Sequence, residues 1–206
     1  MKKSLIALAV LGASGVAMAQ SSVTLYGVAD AGVGKIEAGA PAGNDATDKT
    51  QFISGSLMNN GNSRIGVRGV EDLGGGLMAG FNFESGLALD DGANLGSGGG
   101  FWGRAANLWL GGNWGTFKMG RSLTPSYYGA AVWELTGTAN YSVVGSTFGF
   151  ANSLRNNSQF SYKTPDFGGF SADLGYIHKA DNADRDKVDL NVIYANGPIP
   201  AFNGRP

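Results

Sequence analysis

The chain of 206 residues contains no cysteine, one histidine and six prolines, and each scarcity closes off a class of protein. Without cysteine there is no disulfide framework, no thiolate nucleophile and no cysteine-based metal site. One histidine, His178, has no serine and acid placed to form a triad with it, so hydrolase chemistry of that kind finds no constellation. Past the first nineteen residues no run of about 18 apolar residues occurs, which rules out transmembrane helices. Charge of one sign is also missing: 15 Lys and Arg stand against 16 Asp and Glu, with Lys2 and Lys3 in the leader, so the remainder is mildly acidic and argues against a nucleic-acid partner. The triplet Asp181, Asp184 and Asp186 lacks the glycine and terminal glutamate of a calcium loop, and the Gly96–Gly100 run follows no strand-to-helix pattern that would cradle a phosphate.

What is present begins with an export signal. Lys2 and Lys3 precede an apolar run from Leu5 to Val16, and Ala17-Met18-Ala19 offers a small-x-small cleavage site before Gln20. Residues 1–19 therefore read as a signal peptide and 20–206 as the exported domain. Thirty-five glycines, with abundant aromatics, describe an all-β chain with many turns.

Segments of about ten alternating residues are joined by connections that are short and long in turn. Val23 to Asp30 reads as a first strand and Lys35 to about Asn62 as a polar stretch. Arg64–Val70 and Leu77–Glu84 form a hairpin about Asp72-Leu73-Gly74-Gly75-Gly76. Trp102–Gly112 and Thr116–Ser122 form a second, whose inward and outward faces the pattern leaves open. A connection of about thirty residues, 123–152, precedes Arg155–Lys163, Phe170–His178 and Val188–Tyr194. That makes about eight strands. Arg64, Arg68, Glu84, Arg155, Lys163, Asp173 and Lys179 crowd the polar faces, and unpaired charge is prohibitively costly in a packed interior. A water-filled lumen removes the difficulty, and strand length, alternating turn length and aromatics near strand ends point to an antiparallel transmembrane β-barrel.

Four pieces, Ser22–Gly27, Ser63–Gly69 running on to Glu71–Gly76, Gly120-Arg121 and Thr164–Gly169, in this order behind a signal peptide, resemble the general trimeric porins of Gram-negative bacteria in their β-proteobacterial form. The resemblance covers Gln20 to about Pro198. It implies a sixteen-stranded barrel in the outer membrane, a homotrimer, and a third external loop, here 123–152, that folds inward to narrow the pore. Outer-membrane lipid and lipopolysaccharide would surround it, and small hydrophilic solutes and ions would cross it by passive diffusion. No cofactor, metal or catalytic residue is implied. Eight strands are half of sixteen, and the tail Pro198–Pro206 carries three prolines where a ninth strand is due. The chain is thus expected to be an N-terminal half or a truncated copy. Rival readings are a surface adhesin that uses its external loops without an open pore, a barrel-embedded hydrolase, against which the single histidine speaks, a non-functional truncated porin, and a genuine eight-stranded barrel.

By the same resemblance Arg64, Arg104 and Arg155 match the basic wall of the pore constriction. Arg68 shares parity with Arg64 and is expected deeper in the lumen. Glu134 is the one acid of the long connection and the expected counter-charge. Glu84 reads as a single lumenal acid without a partner.

Overall fold

The structure is a computed structural model that describes residues 22–36, 47–56, 58–94, 100–148, 154–181 and 185–196. The export signal, the Gly96–Gly100 run apart from Gly100, and the proline-rich tail lie outside the described residues. Eight strands, β1 (Ser22–Val28), β4 (Arg64–Gly74), β5 (Leu77–Gly86), β6 (Ala105–Gly112), β7 (Gly115–Leu123), β8 (Arg155–Lys163), β9 (Phe170–Ile177) and β10 (Lys187–Tyr194), form one antiparallel sheet in that order. They match the eight segments of the sequence pattern. Two further strands, β2 (Ala31–Ile36) and β3 (Thr47–Ser54), pair as a separate ribbon that reaches into the stretch expected to be polar connection. Its alternation is broken by a register shift at Lys35/Ile36, which hides a strand from a period-two reading. No described helix is long and apolar enough to cross a membrane, which leaves crossing by strands untouched.

The turns at one end of the sheet are tight for local reasons. Gly74, Gly75 and Gly76 all hold positive φ (84, 63 and 80°), and the Gly74 amide donates to the Asp72 carboxylate at 2.8 Å. The β8–β9 turn repeats the device, with the Gly169 amide donating to Asp166 Oδ1 at 2.9 Å. The long connections lie at the opposite end.

Register assigns every side chain to a face. Val23, Leu25, Phe81, Leu108, Met119, Phe160, Leu174 and Leu190 fall on one face through the chain of cross-strand partners. They are open to the surroundings: Val23 is 70% exposed, Leu108 52% and Val188 70%. An apolar surface continuous across eight strands far exceeds the patches that soluble monomers tolerate, and hydrocarbon is the solvent that suits it. The other face carries Tyr26, Arg64, Arg68, Asn82, Glu84, Asn107, Lys118, Gln159 and Asp173.

The faces of the 102–122 hairpin, left open by the sequence, are thereby settled. Trp109 and Lys118 point inward, while Leu108, Leu110 and Met119 point outward. The pattern blurs because Gly111, Gly112 and Gly115 carry no side chain and β7 slips register against β8 between Gly120 and Ser122. Trp102, expected inside a strand, lies before β6 in a turn and packs on Phe83 with ring centroids 5.7 Å apart. Among the described residues β1 and β10 end the sheet and are not joined to each other.

Candidate functional site: the basic wall and the inner strap

The 123–152 connection contains two short helices, α1 (Pro125–Ala131) and α2 (Val143–Phe148). Thr124 caps α1 by accepting from the Tyr127 amide at 3.2 Å, and Pro125 at its first turn lacks the amide that would otherwise go unpaired. The helix lies on the polar face of the sheet. The amide and hydroxyl of Ser126 donate to Asp189 Oδ2 of β10 at 3.0 and 2.9 Å, and Pro125 sits where Gly175 of β9 has no side chain. Lys118 Nζ lies 5.8 Å from the Tyr128 ring centroid, a cation–π contact beneath the helix.

At the end of the sheet nearest this segment, the predicted basic residues gather about one carboxylate. Arg104 Nε donates to Glu84 Oε1 at 2.6 Å, and Arg64 Nε lies 3.6 Å from Glu84 Oε2. The Arg104 amide continues the ladder by donating to the Glu84 carbonyl at 3.0 Å. Arg155 Nε donates to the Arg104 carbonyl at 2.8 Å, and its charge feels repulsion from Arg104 and Arg121 and attraction to Glu84. Tyr26 completes the group. Its hydroxyl donates to Glu84 Oε2 and to Asn82 Oδ1, both at 2.9 Å, and its ring lies on Gly66, where a Cβ would collide with it. The Arg68 guanidinium stands 5.3 Å from the same ring centroid, one inward position beyond Gly66, the register partner of Glu84, toward the tight turns.

Arg64 and Arg104 share one carboxylate and Arg155 stands within its field, so three positive charges face one negative, an excess of two. Buried to 11% side-chain exposure, Glu84 holds Arg64 and Arg104 apart at fixed positions. Arg side chains, always protonated and forked, suit contact with carboxylates and phosphates, and a fixed excess of positive charge attracts anions in general.

Glu134 occupies a different place from the one expected of it. Both carboxylate oxygens accept from the Thr136 hydroxyl at 2.8 Å, and Oε2 accepts from the Thr138 amide at 2.6 Å. The residue is 5% exposed and closes a turn in which Thr138 adopts φ of 63°. Its donors are neutral groups four residues or fewer away, and the acid in contact with the arginines is Glu84. Burial raises the pKa of Glu134, but the Thr138 and Thr136 donors outweigh it and hold the group below its ordinary value.

Two further basic groups near the wall escaped the sequence reading. Arg121 donates from Nε to the Gly103 carbonyl at 2.6 Å, which brings it beside the same wall, and Lys118 extends the basic face toward the tight turns. The register slip after Gly120 conceals the first, and the open parity of the hairpin conceals the second. His178, the lone histidine, accepts from the Ala180 amide at 3.2 Å beyond the end of β9.

The sequence matches the model of the family described as Gram-negative porin over residues 4–202. It is 39% identical to outer membrane porin protein 32 of Delftia acidovorans over 99% of this chain and 59% of that protein. It is 35% identical to an outer membrane porin protein of Bordetella pertussis over 97% of this chain and 57% of that one. Among solved structures, the anion-selective porin from Comamonas acidovorans superposes with a TM-score of 0.66 at 33% identity, over 87% of this chain and 55% of that chain. The chain thus spans less than two thirds of the length of these relatives. With an apolar outer face, a polar inner face and a segment laid on the latter, the chain belongs to the Gram-negative porin family of outer-membrane β-barrels.

Proposed function

We propose that the protein forms a water-filled outer-membrane channel for passive diffusion of small hydrophilic solutes and ions, selective for anions at a constriction walled by Arg64, Arg104 and Arg155. The observation that carries this reading is the excess of positive charge about Glu84 on the inner face, at the end of the sheet nearest the segment that leaves the wall after β7. Basic rows at a narrow point act on ions while they shed hydration, where a fixed charge has most effect. Support comes from the Comamonas acidovorans relative, described as anion-selective.

In this reading the 123–152 segment is the constriction loop and α1 its inner anchor. Arg68 and Lys118 continue the basic face toward the tight-turn end, so that an anion leaving the arginines meets further positive charge. Glu84 sets the spacing of Arg64 and Arg104, and Glu134 shapes the loop. Outer-membrane lipid covers the apolar face, lipopolysaccharide meets the long-connection end, and three copies assemble as the resemblance implies. The test is conductance in planar bilayers. Purified protein should add current in ohmic steps with chloride carrying the larger share, and intact bilayers without current steps after verified insertion would refute the channel.

A further inference from the structure

Between the arginine wall and the tight turns the inner face carries an aromatic surface that the anion reading does not use. Trp109 of β6 stands two inward positions beyond Ala105, the register partner of Glu84. At about 3.4 Å per residue this places it roughly 14 Å from the level of Glu84. Its indole lies across two wall positions that have no side chain. A Cβ at Gly80, its cross-strand partner, would collide with Cε2 and Cζ2, and one at Gly111 would meet Cζ3 at 3.5 Å, on the far side of the same six-membered ring. The two glycines therefore support one face of the ring. Trp109 is half-buried, and among the described residues no ring stacks on its other face and no group accepts from Nε1.

A cation stands directly beside this platform. Lys118 of β7 is the register partner of Trp109, and such cross-strand pairs hold their Cβ atoms about 5 Å apart. Lys163 of β8 follows diagonally, one inward position nearer the tight turns. The Lys118 charge feels attraction to Asp173 and repulsion from Lys163, so two cations stand against one acid there. The next acid along the face, Asp189, is taken up by the amide and hydroxyl of Ser126.

We propose that Trp109 and Lys118 form a retention subsite for aromatic carboxylates, the solute ring stacked on the open face of the indole and its carboxylate against the Lys118 ammonium. This rests on the channel reading above, which brings solutes to the inner face. A small inorganic anion would gain only the charge, and a neutral planar solute only the stacking. An aromatic carboxylate takes both at once. Each contact is weak, as a subsite in a path must be if what binds there is also to leave. Stacked aromatic pairs add about twofold to tenfold to an equilibrium beyond area burial, and an exposed ion pair adds up to about fivefold.

The chain has four tryptophans, so Trp102→Phe/Trp114→Phe/Trp133→Phe leaves Trp109 as the sole indole emitter. Folded protein of this kind in detergent is titrated with 4-nitrobenzoate, whose ring quenches indole emission on contact. Quenching should saturate, and adding Lys118→Gln should raise the half-saturating concentration about threefold. The neutral 4-nitrobenzyl alcohol should bind more weakly than the carboxylate and be indifferent to Lys118→Gln. This measurement needs no current, so it stands if the channel reading fails. Quenching that rises linearly and equally for the two probes overturns the subsite. In bilayers, benzoate should reduce the parent's chloride current about threefold more effectively than cyclohexanecarboxylate, which has the same charge and no π face. Trp109→Leu covers the same two glycines without a π face and should make the two acids equal, and Trp109→Tyr should restore the difference. A preference for benzoate that survives Trp109→Leu overturns the subsite even where quenching saturates.

Discussion

Glu84→Gln separates the counter-charge seen in the structure from the one the sequence suggested. Glutamine keeps one oxygen to accept from Arg104 Nε, and its amide NH2 can donate to the Tyr26 hydroxyl oxygen while that hydroxyl donates to Asn82 Oδ1, so the spacing is kept while the charge goes. The excess on the wall then rises by one unit. A unit charge about 4 Å from an ion acts with about 1 kcal/mol even at the dielectric of bulk water. It acts with opposite sign on anion and cation, so the ratio of their occupancies moves by about 2 kcal/mol, or about thirtyfold, at contact. Ions on a pore axis stand further away and are partly screened, with a Debye length of about 10 Å at 0.1 M, so a threefold to tenfold rise in anion preference is expected at low salt. At 1 M the gain should nearly vanish, because the Debye length falls to about 3 Å. Zero-current potentials under a salt gradient read the ratio directly. Glu134→Gln should move that potential less, since the ion pairs of Arg64 and Arg104 are with Glu84 and not with Glu134. A shift with Glu134→Gln and none with Glu84→Gln would refute this assignment of charges.

Two further outcomes follow from the faces of the sheet and the turn at Glu134. Leu108→Arg sets a charge on the apolar face and should cost about 2–4 kcal/mol of membrane stability if it sits at mid-depth, lowering the fraction that shows heat-modifiable migration, whereas Thr24→Ser, exposed on the inner face, should leave it unchanged. The Glu134 turn should loosen in acid: its folded pKa is depressed, so its contribution is complete above the unfolded carboxylate value and is lost as pH falls through the lower folded one. Trp133 emission should therefore change only as pH falls below the ordinary range of a free glutamate, and Glu134→Gln should remove the change attributable to this residue.

Much of the architecture was legible because a period of two survives wherever strands are regular. β4 and β5 alternate without a break from Arg64 to Val70 and from Leu77 to Glu84, and the glycine turn between them can be read residue by residue. Legibility failed where the alternation was broken or a side chain was missing: at the bulge in β2, at the glycines of β6 and β7, and at the slip before Ser122. The basic residues of the site were visible as residues, since Arg64, Arg68, Arg104 and Arg155 are charged groups on inward positions or at strand starts. Their shared partner was not. Glu84 meets Arg104 twenty positions away and Arg64 across a register that sequence spacing does not reveal, while Glu134 offered the nearer analogy of an acid in the long loop. The bonds from Asn140 of that loop to Ser56 and Asn62 span 84 and 78 positions and use neutral residues that carry no signal in a single sequence.

The central claim is that positive charge on the inner wall governs which ions pass. Its most direct measurement is the zero-current potential across a planar bilayer under a salt gradient, for the parent and for the protein with Arg64, Arg104 and Arg155 replaced by glutamine. Glutamine retains polarity in a shorter side chain and removes three charges from the wall, leaving Glu84 with Arg121 nearby. The account predicts that the potential moves from the anion side toward the cation side, most at low salt, and that Lys179→Gln, in the exposed turn after β9, leaves it where it was. An unchanged potential in the triple variant, together with a shift in Lys179→Gln, would place selectivity at the mouth of the channel and contradict the account.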